Sequence, residues 1–236
     1  MEEMPLSGTD SFEEAQAKAE EAGRAGAPAG TAFFAVAEEK GTSLLCVSVV
    51  LAPKIPMPYY ESLPAVSALG VVEGLESAGA QGLSVGWPDT VVFEGATVGR
   101  VRAKAGYGDA GMFCAATVTL TAASADEFVP VLEGASGGAL PQASALAEIV
   151  REALLAECRV WEEGLQSNGA GPMAPVLDRY FDRVHLMGET VDVVYPNGRV
   201  RAQGRFAGID IWGRATVVLE DGSELEFAAA ESQIRG

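Results

Sequence analysis

Residues 85–101 read VGWPDTVVFEGATVGRV and predict two short strands joined by a tight turn. Valines that alternate with other residues are typical of half-buried strands, and Glu94-Gly95 suits the turn between them. A Trp-Pro-Asp sequence stands directly before the first of these strands. Further strand candidates flank the pair, so that this part of the chain predicts four strands, at 83–85, 90–93, 96–105 and 112–121.

The segments around this stretch predict an α+β fold. Runs rich in β-branched and aromatic residues at 31–37 and 43–52 indicate two buried strands with a hairpin-sized loop between them. Helical spacing of apolar residues predicts four helices, at 11–24, 59–78, 144–164 and 175–184. We therefore expect a mixed, mostly antiparallel sheet backed by helices, which extends through about Arg183.

The texture of the sequence changes after Val184. Short strand candidates follow, separated by the turn signals Pro196-Asn197-Gly198 and Asp221-Gly222. This pattern is typical of a small antiparallel barrel of five or six strands. The sequence predicts two domains, residues 1–183 and residues 184–236.

Composition excludes several classes of function. The net charge of −17 repels phosphate backbones, which argues against a nucleic-acid partner. The longest apolar stretch, 44–52, is too short to span a membrane, and the acidic N-terminus does not resemble a secretory signal, so we expect a cytoplasmic protein with no membrane partner. The cysteines match no zinc spacing, are interpreted as buried apolar residues and predict no metal site. They are Cys46, Cys114 and Cys158.

The opening stretch also carries a family resemblance. Val85-Gly86-Trp87-Pro88-Asp89, then a hairpin, then Thr97-Val98-Gly99-Arg100-Val101 resembles the biotin–protein ligase signature Lys-Trp-Pro-Asn-Asp, hairpin, Lys-Leu-(Ala/Gly)-Gly-Ile-Leu. At the other end, residues 204–213 resemble the Gly-x-Ala-x-Gly-Ile-Asp phrase of the family's C-terminal barrel. The resemblance covers nearly the whole chain. It implies the biotin ligase fold of the class II synthetase type, followed by a small barrel of the Src-homology type.

The resemblance also implies an activity. A ligase of this family joins the carboxylate of biotin to ATP, with magnesium, and passes the acyl group to a lysine of a carrier domain. Because each step gathers negative charge, it needs cationic groups. The family supplies them from a Gly-Arg-Gly-Arg loop and a catalytic lysine. The implied cofactors are therefore biotin and ATP, and the implied partner is a biotin carrier domain.

This sequence departs from the family at those positions. Only Lys40-Gly41-Thr42-Ser43 stands where the Gly-Arg-rich loop belongs. Thr97 replaces the catalytic lysine, and Gly86 replaces the lysine of the Trp-Pro motif. Arg100 replaces a glycine that leaves room for the ligand. Asp10-Ser11-Phe12 aligns with the family's Ser-Thr-Asn and brings a carboxylate toward an anionic ligand.

No residue is thus assigned a catalytic role, and the ligand-binding positions carried over from the family are Ser11, Trp87, Pro88, Asp89, Gly99 and Arg100. Trp87 has two interpretations, a ligand contact or, as we favour, a core residue. Arg100, Arg102 and Lys104 alternate along one strand and form either an anion site or, as we favour, a solvated sheet face. We interpret His185 as structural, and residues 106–111 as a hairpin loop.

Three hypotheses follow. The first is a divergent ligase homologue that forms no biotinyl-adenylate and acts as a pseudoenzyme, binding a ligand or a protein. The alternative is an active biotin–protein ligase, or a related acyl transferase, that uses displaced cations such as Lys40, Arg100 or Lys104. The third is a scaffold kept for dimerisation, with a homodimer as its partner.

Overall fold

The computed structural model describes residues 6–39, 42–122, 143–167 and 169–236. These residues form strands and helices, with most strands grouped in consecutive runs. The strands are β1 (Leu6–Gly8), β2 (Ala32–Glu39), β3 (Thr42–Leu51), β4 (Leu83–Gly86), β5 (Thr90–Phe93), β6 (Ala96–Gly108), β7 (Gly111–Ala122), β8 (Thr190–Val194), β9 (Val200–Ile209), β10 (Ala215–Leu219), β11 (Glu224–Phe227) and β12 (Gln233–Arg235). The helices are α1 (Phe12–Arg24), α2 (Leu63–Ser77), α3 (Ala143–Ser167) and α4 (Leu177–Arg183), and a 3₁₀ helix, Met57–Ser62, precedes α2.

The first seven strands form one mixed sheet in the order β1-β2-β3-β7-β6-β5-β4. Only β1 and β2 run parallel, and the other neighbours pair antiparallel. The predicted α+β architecture, a mostly antiparallel sheet backed by helices, is therefore confirmed.

The two faces of this sheet bury different helices. Because side chains alternate along a strand, Val47 and Val49 of β3 join the core under α2 and α3, while Cys46 and Val50 lie under α1. Helix α1 begins where the Ser11 hydroxyl accepts a hydrogen bond from the Glu14 N–H, at 3.1 Å. This cap fixes the start of α1 over the side of the sheet that carries Cys46 and Val50, which we call the α1 face.

The last five strands form an antiparallel sheet in the order β11-β10-β9-β8-β12. Closure of this sheet into a barrel and a domain boundary near Arg183 remain predictions. Hydrogen bonds connect the segments beside the two sheets: the His185 N–H, which precedes β8, donates to the Val85 carbonyl of β4 at 2.7 Å, and the Met173 N–H, which precedes α4, donates to the Ile211 carbonyl between β9 and β10 at 2.9 Å. Their buried residues form one continuous core.

The predicted elements agree with the structure to within a few residues, with three differences. The segment predicted as a helix at 59–78 is a 3₁₀ helix followed by α2, because Pro64 falls at the start of α2, where proline is tolerated. The predicted loop at 106–111 is shorter, since β6 continues to Gly108. Helix α3 extends to Ser167, three residues beyond the predicted end at 164. Lys40 and Gly41 lie outside the described residues, and so does Asn168.

No helix among the described residues is long and apolar enough to cross a bilayer.

Candidate ligand-binding site

Two cavities lie on the α1 face of the large sheet. The first, which we call the edge cavity, has a volume of about 440 Å³ and opens between β4, β5 and β6 and the C-terminal strands. The residues of its wall include Trp87, Thr90, Thr97, His185 and Arg235, and the Thr90 hydroxyl donates to the Gly86 carbonyl at 3.0 Å. Thr97, the position assigned to the catalytic lysine, therefore faces a cavity, but with a neutral side chain.

The second cavity, which we call the face cavity, has a volume of about 330 Å³. It lies between the first turns of α1 and strands β3, β6 and β7. The β6–β7 register places Arg100 opposite Thr119 and Arg102 opposite Thr117, so these four side chains share one patch of the sheet. Phe12, Glu13 and Gln16 of α1 and Cys46 of β3 complete its wall.

The two cavities are neighbours on the same face. Thr90, which lines the edge cavity, pairs directly with Arg100, which lines the face cavity. Paired residues of antiparallel strands project to the same side of a sheet. The structure thus brings Thr97 and Arg100 to adjoining parts of one surface, as the family resemblance implies for a single site.

The Trp-Pro motif joins the two sheets. Trp87 is only 8% exposed, and its indole N–H donates to the Gly213 carbonyl at 3.0 Å. Its ring meets Phe227 edge-on, with ring centroids 5.4 Å apart. Pro88 follows a cis peptide bond, and its carbonyl accepts a hydrogen bond from the Tyr180 hydroxyl at 2.7 Å. The burial of Trp87 agrees with the core interpretation, although Trp87 is also one of the residues that line the edge cavity.

Asp89 holds the start of β5 against β6. Its backbone carbonyl accepts a hydrogen bond from the Val101 N–H at 2.8 Å. Burial raises the pKa of its carboxyl group, and the nearby charges of Arg100 and Arg102 oppose that rise. Asp89 is therefore an acidic neighbour of both arginines.

Three further positions that the resemblance singles out are not open to a ligand in the structure. They are Ser11, Gly86 and Gly99. The Ser11 hydroxyl is occupied by capping α1. Gly99 is on the opposite face of the sheet, where an added Cβ would lie 2.7 Å from Leu120 Cδ2. At Gly86 an added Cβ would meet Thr90 Oγ1, so the lysine of the family's motif has no space here unless Thr90 moves.

The three alternating cations of β6 divide into two groups. The Lys104 ammonium pairs with the Glu20 carboxylate of α1 at 2.7 Å, as a solvated surface group does. Arg100 and Arg102 are exposed and form no ion pair within 4 Å among the described residues. They remain available to a ligand.

The floor of the face cavity is polar, which the sequence interpretation missed. The buried Ser48 hydroxyl lies 2.9 Å from the Thr117 hydroxyl. Burial raises the pKa of the Cys46 thiol to about 11, although hydrogen bonds to Ser48 and Thr119 act in the opposite direction. A signal was present: hydroxyl residues alternate with apolar ones along residues 117–121 of β7, in a strand otherwise predicted to be buried.

The residues around Thr97 offer few cations to the groups that the family resemblance implies. An anionic triphosphate beside Thr97 would meet Arg235 and His185 but no lysine, and the Thr90 hydroxyl there already donates to the Gly86 carbonyl. No group of three His, Cys, Asp or Glu side chains in the described part of the chain is placed to hold a metal. The residues around Thr97 therefore do not fit the cation-rich chemistry of adenylation.

Solved structures of similar shape place this architecture in a known class. The apo biotin protein ligase of Aquifex aeolicus matches with a TM-score of 0.68 and 20% identity, over 98% of this chain and 96% of that chain. The structure of that ligase in complex with biotin and ATP matches with a TM-score of 0.66 and 17% identity, over 100% of this chain and 99% of that chain. A biotin protein ligase-like protein of unknown function from a Silicibacter species matches with a TM-score of 0.63 and 21% identity, over 95% of this chain and 94% of that chain.

By sequence the chain stands apart, since no protein-family model and no curated protein matches it. The structural likeness, at about one identical residue in five, defines the fold. The protein is an α+β protein with adjoining cavities on one sheet face. Its fold is that of the biotin protein ligases, over nearly the full length of both chains.

Proposed function

We propose that this protein is a ligand-binding member of the biotin protein ligase fold that does not form an acyl-adenylate. The observation that carries the proposal is the content of the two cavities. The side chain at the expected lysine position is a threonine hydroxyl, and a guanidinium occupies the position where the family has a glycine. A neutral hydroxyl cannot offset the charge that develops on a phosphate during adenylation.

The link between β2 and β3 supports the same conclusion. The two strands pair as far as Glu39 opposite Thr42, so only two residues separate them. These two residues, Lys40-Gly41, are too few to contain a Gly-Arg-Gly-Arg sequence. At this position the sequence supplies one lysine in place of the family's two arginines.

The cations that an active ligase could use in place of the missing lysine differ in their ion pairing and position. Lys104 is held by Glu20, and Lys40 lies outside the described residues. Arg100 and Arg102 are free of ion pairs among the described residues, but they line the face cavity rather than the edge cavity that contains Thr97. This arrangement favours binding over adenylation.

The proposal extends to the setting of the protein. It acts in the cytoplasm, and a biotin carrier domain is the partner that the fold suggests, with self-association into a homodimer as the other interaction to test. Size-exclusion chromatography with light scattering, with and without a carrier domain, distinguishes the two.

Adenylation can be tested directly. The protein is incubated with biotin, ATP and Mg²⁺, pyrophosphate release is followed, and biotinyl-adenylate is sought by mass spectrometry, with an active biotin protein ligase as the positive control. We expect no pyrophosphate above the enzyme-free rate. Release of pyrophosphate together with biotinyl-adenylate would sink the proposal and favour the active ligase.

A further inference from the structure

We propose that a row of solvent-accessible apolar side chains docks a basic, proline-rich segment of a partner protein. The row, which we call the apolar stripe, consists of Met57, Tyr59, Tyr107 and Trp212. The proposal goes beyond the proposed function, because neither cavity takes part in it and it requires no biotin and no nucleotide.

Contacts between side chains make the apolar stripe continuous. The Tyr107 hydroxyl lies 3.5 Å from the Met57 sulfur. Met57 and Tyr59 belong to the same 3₁₀ helix. The rings of Tyr59 and Trp212 meet edge to face, with centroids 6.5 Å apart. The stripe therefore runs from the end of β6, across the 3₁₀ helix, to the turn between β9 and β10.

The stripe exposes residue types that are usually covered. Met57 is 47% exposed, Trp212 54% and Tyr107 66%. A single exposed apolar side chain is ordinary, but several in contact with one another are typical of an interaction surface. Methionine, tyrosine and tryptophan are also the residues that such surfaces favour. The stripe is therefore a candidate docking surface.

The stripe is separate from the two cavities. Arg100 and Arg102 of β6 project to the α1 face, so Tyr107, an odd number of positions further along the strand, projects to the opposite face. Val101, on the same side as Tyr107, joins the core under α2 and α3. Tyr107 also lies at the far end of β6 from Thr97. A partner on the stripe would leave both cavities open.

The form of the stripe favours a polyproline-type segment. The strands that lead to it, β6, β7, β9 and β10, each have a paired neighbour on both sides, so a partner cannot add a strand there. A polyproline helix keeps its backbone solvated and needs no such edge. Its rings pack on aromatic side chains instead. The rings of Tyr59 and Trp212, inclined at 70°, offer two such surfaces to one proline.

The charges beside the stripe favour a basic partner. Carboxylates on or next to its segments form no ion pair among the described residues, and they are those of Glu61, Asp109 and Glu162. The nearby arginines, Arg24 and Arg214, are already paired with carboxylates. Lys54 is the remaining cation beside the stripe in the described part of the chain. This excess of negative charge attracts arginine or lysine residues of a partner.

The same charge argues against a second copy of the chain. A symmetric dimer places the same patch of both subunits face to face. The acidic groups beside the stripe would then meet their own copies, in a protein with a net charge of −17. Like charges brought together in this way oppose association. A basic segment from a different protein avoids this cost.

The test uses synthetic peptides and the full chain. A Pro-Pro-Arg repeat is titrated by calorimetry, with a Gly-Gly-Arg repeat of equal length and charge and a Pro-Pro-Glu repeat as comparison peptides. Tryptophan fluorescence reports on Trp212, because Trp87 and Trp161 are buried. We expect saturable binding of the Pro-Pro-Arg repeat with a change in fluorescence, and at least about tenfold weaker binding of the other two peptides. Absence of binding, or equal binding of the Gly-Gly-Arg repeat, would overturn the proposal.

Variants locate the docking surface. Tyr107→Ala and Trp212→Ala should each weaken binding of the Pro-Pro-Arg repeat at least about tenfold, because each removes an aromatic anchor. Tyr195→Ala is the matched control: Tyr195 is 42% exposed and precedes β9, whereas Trp212 follows it, so binding should be unchanged. Circular dichroism verifies that each variant is folded. Unchanged binding by Trp212→Ala, or an equal loss in the control, would contradict the proposal.

Light scattering tests the alternative occupant. We expect the wild-type protein and Trp212→Ala to have the same molar mass in solution. A wild-type dimer that Trp212→Ala dissociates would show that a second copy covers the stripe, and would overturn the proposal. Biotin and ATP are absent from these experiments, so their results are independent of the adenylation assay.

Discussion

The side chain at position 100 distinguishes this chain from the ligases that it resembles in shape. A glycine there would leave the sheet surface open, whereas the Arg100 side chain projects into the face cavity opposite Thr119. Three positions away, Thr97 presents a hydroxyl group to the neighbouring edge cavity. The position of the family's lysine thus carries a neutral side chain in the edge cavity, and the position of the family's glycine carries a guanidinium in the face cavity, which changes the kind of ligand that each can hold.

Trp161 should contribute measurably to the free energy of unfolding. It is fully buried, and its indole N–H donates to the Pro172 carbonyl at 2.6 Å. Trp161→Phe removes this bond and leaves a void, which should lower the free energy of unfolding by about 2 kcal/mol. Trp212→Phe, at a site that is 54% exposed, should change it by less than about 0.5 kcal/mol. Urea denaturation followed by circular dichroism compares the two variants, and equal losses would contradict this prediction.

The cysteines should be unreactive in the folded protein. Burial raises the pKa of Cys46 to about 11, and it raises the pKa of Cys114 and Cys158 to about 12. Since the thiolate is the reactive form, a thiol-disulfide reagent at pH 8 should modify them only after unfolding in urea. The surface variant Ser167→Cys should react at once. Rapid labelling of the native wild-type protein would show that the thiols are accessible.

The same pKa shifts set a direction for stability at alkaline pH. The folded pKa values lie above the unfolded value of about 8.5. The folded state therefore holds protons that the unfolded state releases. The stabilisation is fully present below about pH 8.5 and is lost as pH rises toward 11. The urea concentration at the midpoint of unfolding should be lower at pH 10 than at pH 7.5. A higher midpoint at pH 10 would contradict the prediction.

At the scale of elements, one arginine connects three helices. Arg179 of α4 donates to Glu73 of α2 at 2.6 Å and to Glu157 of α3 at 2.6 and 3.0 Å. Glu157 is only 5% exposed. Because α4 leads directly to the C-terminal sheet, this cluster helps to fix that sheet relative to the helical layer.

Removal of that arginine should be costly. Arg179→Leu leaves Glu157 buried without its cation, which should lower the free energy of unfolding at pH 7.5 by about 3 kcal/mol. Arg159→Leu, an exposed change on α3, should cost less than about 0.5 kcal/mol. Urea titrations of the two variants beside the wild type measure the difference. A small loss for Arg179→Leu would mean that water already compensates the carboxylates.

The cost should also depend on pH. Burial already raises the pKa of Glu73, and Arg179 opposes that rise, so its removal raises the folded pKa further. A folded pKa above the unfolded one gives stability that is present at low pH and lost as pH rises. The penalty of Arg179→Leu should therefore be smaller at pH 5 than at pH 7.5. A pH-independent penalty would exclude this contribution.

Elements were predictable from sequence to a greater extent than contacts between them. The apolar run at 31–37 and the alternation at 96–105 predicted β2 and β6, because local periodicity reports local structure. The pairing of β3 with β7 joins residues such as Ser43 and Ala122, which are far apart in sequence and leave no local signal. For the same reason the sequence placed Arg100 and Arg102 on one face but did not place Phe12 of α1 beside them.

At the scale of the whole molecule, the two sheets share one core. Phe227 of the C-terminal sheet packs on Trp87 of the large sheet, and both belong to a cluster that continues through α2 and α3. A shared core couples the unfolding of its parts, even where a domain boundary is predicted from sequence. We therefore expect the two sheets to unfold together.

Phe227→Ala tests this coupling. Phe227 is 1% exposed, and its truncation should lower the free energy of unfolding by about 3–4 kcal/mol. If the core is shared, hydrogen exchange measured by mass spectrometry in urea should accelerate equally in peptides from β9 and from β6. Val200→Ala, at a site on β9 that is 59% exposed, should alter neither. Acceleration confined to β9 would instead mean that the C-terminal sheet opens by itself, as an independent domain would.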